Sequence, residues 1–254
     1  MKPVEVLFTP ADFAALAQRD LADATCVVFD VLRATTSIVT ALAAGAASVR
    51  PVAGVSEALA RRAADPGVLL AGERDGLRIG AALTGGVEFD LGNSPREFTA
   101  ERVAGRRLVM TTTNGTRALR ACAGAALTLA AAFPNLEATA EFLERAGPAE
   151  LLLVGAGTGE AAAWEDALGA GALCDRLAAG GSWAPGDGAL IARRLWRWHR
   201  HRLAEALTLG RNGQRLLDHP RLAPDLAACA AVDTLACVAR MDADGALRRA
   251  DGPA

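Results

Sequence analysis

Short aliphatic runs alternate with alanine-rich stretches along most of this chain. Read for period, the runs predict strands at Val4–Phe8, Cys26–Phe29, Ser48–Val52, Val68–Ala71, Leu108–Met110, Ala126–Ala130 and Leu151–Val154. Helical spacing predicts helices at Thr36–Ala44, Val55–Ala64, Thr116–Ala123, Leu136–Arg145, Glu165–Ala178 and Gly188–Leu207. Gly45, Gly124 and Gly147 stand where a helix C-terminus takes glycine. This alternation predicts an α/β fold: three α/β/α layers, with helices on both faces of a largely parallel or mixed central sheet. No repeat, linker or charge block marks a boundary, so residues 1–254 read as one domain, with the part from about 184 to 254 mostly helical.

Composition narrows the function classes. At 254 residues, 52% of them hydrophobic, the chain can bury a sizeable core. Its apolar segments are interrupted within about 12 residues, short of the roughly 20 a spanning helix needs. MKPVEVLFTP carries Glu5 within its apolar stretch and no small-residue cleavage site, which argues against a signal peptide. The expectation is a soluble cytoplasmic protein with no membrane partner. A net charge of −2 supplies no field for nucleic acid. Five cysteines, an odd number without C-x-x-C spacing, argue against a disulfide framework or a zinc site and read as buried reduced thiols.

Ligands of open α/β sheets sit at the carboxyl ends of strands. Those ends carry the chemistry here. Asp30 and Arg33 follow Cys26–Phe29 in D-V-L-R-A-T-T-S; Glu73 and Arg74 follow Val68–Ala71 in G-E-R-D-G. T-T-T-N-G-T, Thr111 to Thr116, follows Leu108–Met110, and G-A-G-T-G-E then W-E-D, with Glu165 and Asp166, follow Leu151–Val154. A further turn, L-G-N-S-P-R, carries Asn93, Ser94 and Arg96. Carboxylates are hard oxygen ligands suited to magnesium. Arginines match the fork of phosphate or carboxylate. Hydroxyl- and glycine-rich loops entering helices hold anions. Their convergence points to a metal-assisted reaction on a phosphorylated anion.

Each group also has a structural reading. Thr35 or Thr36, and Thr116 after the Asn114–Gly115 turn, are suitable helix N-caps. Glu165 and Asp166 suit a first helical turn through the macrodipole. Glu73 and Arg74 could be surface charge. These readings do not account for all the groups meeting at one sheet edge, and Asp30, directly after four apolar residues, is the hardest to explain as structure alone.

Other motifs fail. V-F-D-V-L has Leu32 where an aspartyl-phosphate hydrolase places its second Asp. G-A-G-T-G-E has Glu160 where a dinucleotide fingerprint needs glycine. Cys26 to Arg33 is one residue too long for a thiol phosphatase, no G-x-S-x-G elbow exists, and His199, His201 and His219 lie away from the clusters. R-R-L-W-R-W-H-R-H-R, Arg193 to Arg202, has the cations and tryptophans of an RNA-binding segment. Its Leu195, Trp196, His199, Leu203 and Leu207 fall near helical spacing, which predicts a basic amphipathic helix with a packed face, or one serving a homo-oligomer interface.

D-V-L-R-A-T-T, G-E-R-D-G, F-D-L-G-N-S-P, T-T-N-G-T-R-A-L and E-D-A-L-G-A-G resemble, in order, the signature segments of the 2-phosphosulfolactate phosphatase (ComB-like) family. The resemblance spans about Val27 to Leu177 and continues more weakly through Ala184–Leu195 and Asp225–Asp233. It implies a three-layer α/β fold with a mixed sheet. It also implies magnesium-dependent hydrolysis of 2-phospho-3-sulfolactate to 3-sulfolactate, a step of coenzyme M biosynthesis. Position by position it implicates Asp30, Arg33, Glu73, Arg74, Asn93, Ser94, Thr113, Asn114, Thr116, Glu165 and Asp166. Two segments depart from it: A-A-F-P-N, Ala131 to Asn135, lacks an expected serine, and A-A-L-T-G-G-V-E, Ala81 to Glu88, is expected to reshape the pocket entrance.

The combined expectation is a magnesium-dependent phosphomonoesterase for a small, multiply anionic substrate. Asp30, Arg33, Glu73, Arg74 and Asn114 form the expected catalytic set. Thr35, Thr36, Asn93, Ser94, Thr112, Thr113, Gly115 and Thr116 are expected to contact substrate, and Asp30, Glu73, Glu165 and Asp166 to hold Mg2+. The alternatives are a phosphatase for a different phosphorylated 2-hydroxy acid, and a noncatalytic binder of a phosphometabolite or nucleotide.

Overall fold

A computed structural model describes residues 2–181 and 183–250; the ends of the whole-chain domain expectation, and Ser182, lie outside the described residues. Its strands are β1 (Lys2–Leu7), β2 (Ala24–Phe29), β3 (Ser48–Pro51), β4 (Leu69–Arg74), β5 (Leu77–Arg78), β6 (Arg107–Thr111), β7 (Leu127–Ala131), β8 (Glu150–Gly155), β9 (Trp183–Pro185), β10 (Val238–Met241) and β11 (Leu247–Ala250). They form one sheet in the order β5-β4-β6-β3-β11-β10-β7-β2-β8-β1-β9.

The sequence of β2, ATCVVF, shows why three layers form. Each of its residues is buried. Val27 and Phe29 enter one apolar cluster, with the helices Leu136–Ala146, Trp164–Leu177 and Asp187–His199. Cys26 and Val28 enter another, with the helix Ala34–Ala43. A strand that is apolar on both faces requires cover on both, and each fully buried aliphatic or aromatic side chain contributes about 1.5–3 kcal/mol. The three-layer α/β architecture with a mixed sheet follows.

The sheet consists of two parallel blocks. β4, β6 and β3 form one; β7, β2, β8, β1 and β9 form the other. The hairpin β10–β11 joins them, with β10 antiparallel to β7 and β11 antiparallel to β3. Three antiparallel steps reverse direction, so the blocks run opposite ways along the ladder. The blocks are opposed along the ladder, yet the loops after β2 and β6 come together at Asp30 and Gly115, so the carboxyl ends of both blocks converge on one site.

The seven predicted strands all form, within a few residues of the predicted ends. β5, β9, β10 and β11 were not legible. VARM and LRRA carry arginines and little β-branching, and they become strands because partners on both sides pair with them. The stretch expected to be mostly helical therefore holds three strands as well as helices. Gly45 and Gly147 adopt the left-handed conformation expected after a helix, but Gly124 does not, because the helix Gly115–Ala121 already ends at Cys122.

The long helix expected over Gly188–Leu207 is broken: Asp187–His199, a 3-10 turn at Arg200–Arg202, then Leu203–Leu207. Its packed face is as expected. Trp196 stacks on Phe133 with ring centroids 5.6 Å apart, and Arg193, Arg197 and Arg200 all pair with Asp175 on the neighbouring helix. Those two helices approach so closely that a Cβ at Gly171 would lie 2.0 Å from the Ala192 carbonyl oxygen. This accounts for a small residue in E-D-A-L-G-A-G on packing grounds. All five cysteines are buried thiols. Among the described residues no helix is long and apolar enough to cross a membrane.

Candidate active site

The loops after β2, β4, β6 and β8 meet around a cavity of ≈150 Å³. Asp30, Leu32 and Arg33 come from the first, Glu73, Asp75 and Gly76 from the second, Thr113 and Asn114 from the third, and Gly157, Thr158 and Gly159 from the fourth. Asn93 lines it too, and the helix Arg211–Leu217 closes the remaining side with Asn212, Arg215 and Leu216.

Asp30 sits one residue beyond β2, half-buried. The Ala34 N–H donates to its Oδ1 (3.1 Å), while its own N–H donates to Thr35 Oγ1 (3.0 Å). A Cβ at Gly115 would stand 2.6 Å from Asp30 Oδ2 and 2.7 Å from the Ala34 side chain, so the T-N-G turn needs glycine there. Burial, with the charges of Glu73 and Glu165 adding to it, raises the Asp30 carboxyl to about 7.

Glu73 is buried at the end of β4. Thr113 donates to its Oε1 through both N–H and Oγ1 (2.8 and 2.9 Å), and the Gly76 N–H donates to Oε2 (2.8 Å). One carboxylate thus ties the G-E-R-D-G turn to the T-T-T-N-G-T loop. Arg74 is not part of the cavity lining; it donates to the Glu73 carbonyl (2.6 Å) and Thr111 Oγ1 (3.1 Å), bracing β4 against β6.

Arg33 lines the cavity, yet it is 3% exposed. Its Nη1 donates to Asp225 Oδ2 and its Nη2 to the Gly76 carbonyl, each at 2.6 Å. Asp225 is fully buried and also accepts from Ser94 Oγ (2.6 Å) and Arg96 Nε (2.8 Å). Ser94 therefore supports this network and does not line the cavity. Asn93 and Asn114 both do, and each has a buried Oδ1 without a hydrogen-bond partner. Unpaired polar atoms on a cavity wall are suited to a polar ligand.

The remaining predicted residues sit one layer back. Thr36 Oγ1 donates to the Val31 carbonyl (2.8 Å), and Thr112 and Thr116 bond each other reciprocally through side chains and backbone. The helix Ala34–Ala43 has no side-chain cap, so the expected capping by Thr35 or Thr36 gives way to stapling of the loop by their hydroxyls. Asp166 uses both oxygens on backbone: Val31 N–H donates to Oδ1 (2.9 Å) and Gly157 N–H to Oδ2 (3.1 Å), joining the loops after β2 and β8. Glu165 Oε1 accepts from Asn212 Nδ2 (2.5 Å), while its buried Oε2 has no partner. Burial raises the carboxyls of both Glu165 and Asp166, and for Asp166 the neighbouring Glu165 and Asp30 charges add to the effect.

Of the expected site residues, Thr35, Thr36, Arg74, Ser94, Thr112, Gly115, Thr116, Glu165 and Asp166 stand outside the cavity lining, and no histidine lines it. Neither Ala131–Asn135 nor Ala81–Glu88 reaches its lining; Asn135 instead bonds the Ala132 N–H and the Cys237 carbonyl. Asp225, Asn212, Arg215, Asp75 and Gly76 were not singled out from sequence. Asp75 and Gly76 lie inside G-E-R-D-G, and Asp225 opens the weakly similar segment Asp225–Asp233.

The profile of the 2-phosphosulpholactate phosphatase family matches residues 12–244. The chain belongs to this family. Members of this family are named for hydrolysis of a phosphoric monoester. A "Probable 2-phosphosulfolactate phosphatase" of Synechococcus sp. (strain JA-3-3Ab) is 43% identical over 227 residues, 88% of this chain and 91% of the relative. Proteins of the same name from Synechococcus sp. (strain RCC307) and Prochlorococcus marinus (strain MIT 9313) are each 40% identical. They cover 90% and 84% of this chain, and 93% and 86% of their own lengths. The match of this 2-phosphosulpholactate phosphatase family member extends well past the five motifs, into the C-terminal helices that close the cavity.

Proposed function

We propose that the protein is a magnesium-dependent phosphatase that hydrolyses 2-phospho-3-sulfolactate to 3-sulfolactate and phosphate. The observation that carries this reading is the meeting of Asp30, Glu73, Arg33 and the Thr113–Asn114 loop on one small cavity, in a chain of this family.

The donor set fits magnesium. Asp30 and Glu73 offer hard carboxylate oxygens at the cavity, and the buried Glu165 Oε2 behind them has no hydrogen-bond partner. Among the described residues, no three acidic, histidine or cysteine side chains gather as a closed cage. Magnesium uses one or two carboxylates and completes its octahedron with water and substrate phosphate, so an open set is what it takes. Asp30 and Glu73 would hold it. When bound it would neutralise phosphoryl oxygens and orient the attacking oxygen.

The protein's own groups do the rest. Arg33 has five N–H donors and spends one on Asp225 and one on Gly76, leaving others for a phosphoryl oxygen. Because Asp225 holds the guanidinium in place, little conformational freedom is lost when phosphate binds. Thr113, fixed by Glu73, and the side chains of Asn114 and Asn93 line the wall against which the ester would lie. Leu32 and Leu216 supply its apolar part.

The test is phosphate release from synthetic 2-phospho-3-sulfolactate, with magnesium and with EDTA, for the wild type and Asp30→Asn. Release that requires the metal and is abolished in the variant is expected. Binding without metal-dependent release would favour the noncatalytic reading, and full activity in Asp30→Asn would remove its assigned role.

A further inference from the structure

Two arginines line the cavity, and they differ in kind. Arg33 is at the floor, buried and held by Asp225. Arg215 is on the helix Arg211–Leu217, with a side chain 59% exposed, and its Nη2 lies 3.3 Å from Oδ1 of Asp75, itself 91% exposed. That helix turns Asn212, Arg215 and Leu216 to the cavity, the spacing of one helical face. Asn212 pins it there by donating to Thr158 Oγ1 (2.6 Å) and Glu165 Oε1 (2.5 Å). Arg215 thus stands on a fixed backbone, at the exposed side of the cavity, held only by a solvent-screened ion pair.

Charge gives this arrangement a consequence. The lining carries Asp30, Glu73 and Asp75 against Arg33 and Arg215, and Arg33 is already matched by Asp225. A substrate with one anionic group could be served by the floor alone. One with further acid groups needs another cation, and Arg74, expected in that role, is bonded to the Glu73 carbonyl and Thr111 Oγ1 and does not line the cavity. An exposed pair such as Arg215–Asp75 is worth at most about 1 kcal/mol, so exchanging Asp75 for a ligand oxyanion costs little. The guanidinium fork matches a sulfonate or carboxylate bidentately.

Resting on the phosphatase reading, we propose that Arg215 is the specificity-determining residue of the site: it leaves Asp75 and binds a non-reacting acid group of the substrate, while the phosphate ester occupies the floor. The shared chemistry is an oxyanion near the ester carbon, either the sulfonate or the carboxylate.

The experiment compares wild type, Arg215→Gln and Asp75→Asn on three esters: 2-phospho-3-sulfolactate, 2-phospholactate (no sulfonate) and glycerol 2-phosphate (neither acid group). For Arg215→Gln, KM for phosphosulfolactate should rise about 10- to 100-fold with kcat far less affected, the loss of a charged hydrogen-bond pair. Selectivity over glycerol 2-phosphate should fall by a similar factor. If selectivity over 2-phospholactate falls with it, Arg215 reads the sulfonate; if that ratio holds while both acids lose against glycerol 2-phosphate, it reads the carboxylate. Asp75 has φ +55, a conformation asparagine accepts, so Asp75→Asn should fold and lower KM for phosphosulfolactate by about 2- to 5-fold. An equal loss on all three esters, or no change on any, would overturn the assignment. Absence of turnover of every ester by the wild type would instead overturn the phosphatase reading, and this assignment with it.

Discussion

Asp225 Oδ2 lies 2.6 Å from Nη1 of Arg33, although 192 positions of sequence separate the two residues. Both side chains are buried, at 0% and 3% exposure. The C-terminal helices are thereby tied to the loop that follows β2, and the guanidinium reaches the cavity with one orientation.

Breaking that pair should affect both the fold and the site. Removing one partner of a buried ion pair costs about 3–5 kcal/mol, so Asp225→Ala should be strongly destabilised in denaturant unfolding. Asp225→Asn keeps the shape and the Ser94 bond but replaces the oxygen that accepts from Arg33 with an amide N–H donor, so this hold on Arg33 is lost. It should lower kcat/KM about 10- to 100-fold while staying folded. Wild-type kinetics in a folded Asp225→Asn would show that Arg33 needs no such anchor.

The Asp30–Gly115 contact predicts a second loss. Gly115→Ala improves intrinsic helix propensity, yet its Cβ would collide with Asp30 Oδ2 and Ala34. Moving Asp30 by even about 1 Å should reduce kcat roughly 100-fold, with a smaller change in melting temperature. Unaltered kcat would mean that the Asp30 position is not critical.

Metal and pH should be linked through Asp30. Its carboxyl rises from 3.8 to about 7, through burial first and then the charges of Glu73 and Glu165. In that window the folded state binds the proton more tightly than the unfolded chain. The metal-free protein should therefore lose stability as pH rises from about 4 through about 7. Magnesium replaces the proton, so its stabilisation should be larger at about pH 8 than at about pH 5. Melting curves with EDTA and with magnesium at both pH values test this; an equal gain at both would contradict the linkage.

Away from the site, Asp175 fastens two helices. Burial alone would raise its carboxyl, but hydrogen bonds from Arg193 and Arg197 hold it below the usual range. Such a carboxylate stabilises the fold above its unfolded pKa, and the contribution disappears as pH falls through its folded one. Asp175→Asn should cost about 1 kcal/mol at neutral pH, discounted because the arginines are partly exposed, and the difference from wild type should shrink in acid. Denaturant midpoints at the two pH values measure it.

Much of the site was legible because it is local. A buried strand followed at once by Asp30, Glu73 or the Thr-Thr-Asn-Gly turn is recognisable from neighbouring residues, and all three loops line the cavity. What local pattern could not do was sort them. Arg33 and Arg74 look alike in sequence, yet one reaches the cavity and the other braces two strands. Glu165 and Asp166 are adjacent, yet one keeps a bare buried oxygen and the other spends both on backbone N–H groups. Asp225 and Arg215 come from short helices with no unusual composition.

The sequence by itself determined the seven strands that short apolar runs mark, most of the helices, the layered class of the fold, and the loops on which chemistry collects. These depend on period, turn residues and short-range caps. Tertiary structure alone decided that β10 and β11 join two opposed parallel blocks, that Asp225 orients Arg33, and that Arg215 stands at the cavity while Arg74 does not. Those outcomes depend on contacts between residues far apart in the chain, where hydrogen-bond pairing and burial are set by the packed fold and leave no periodic trace in either partner's own segment.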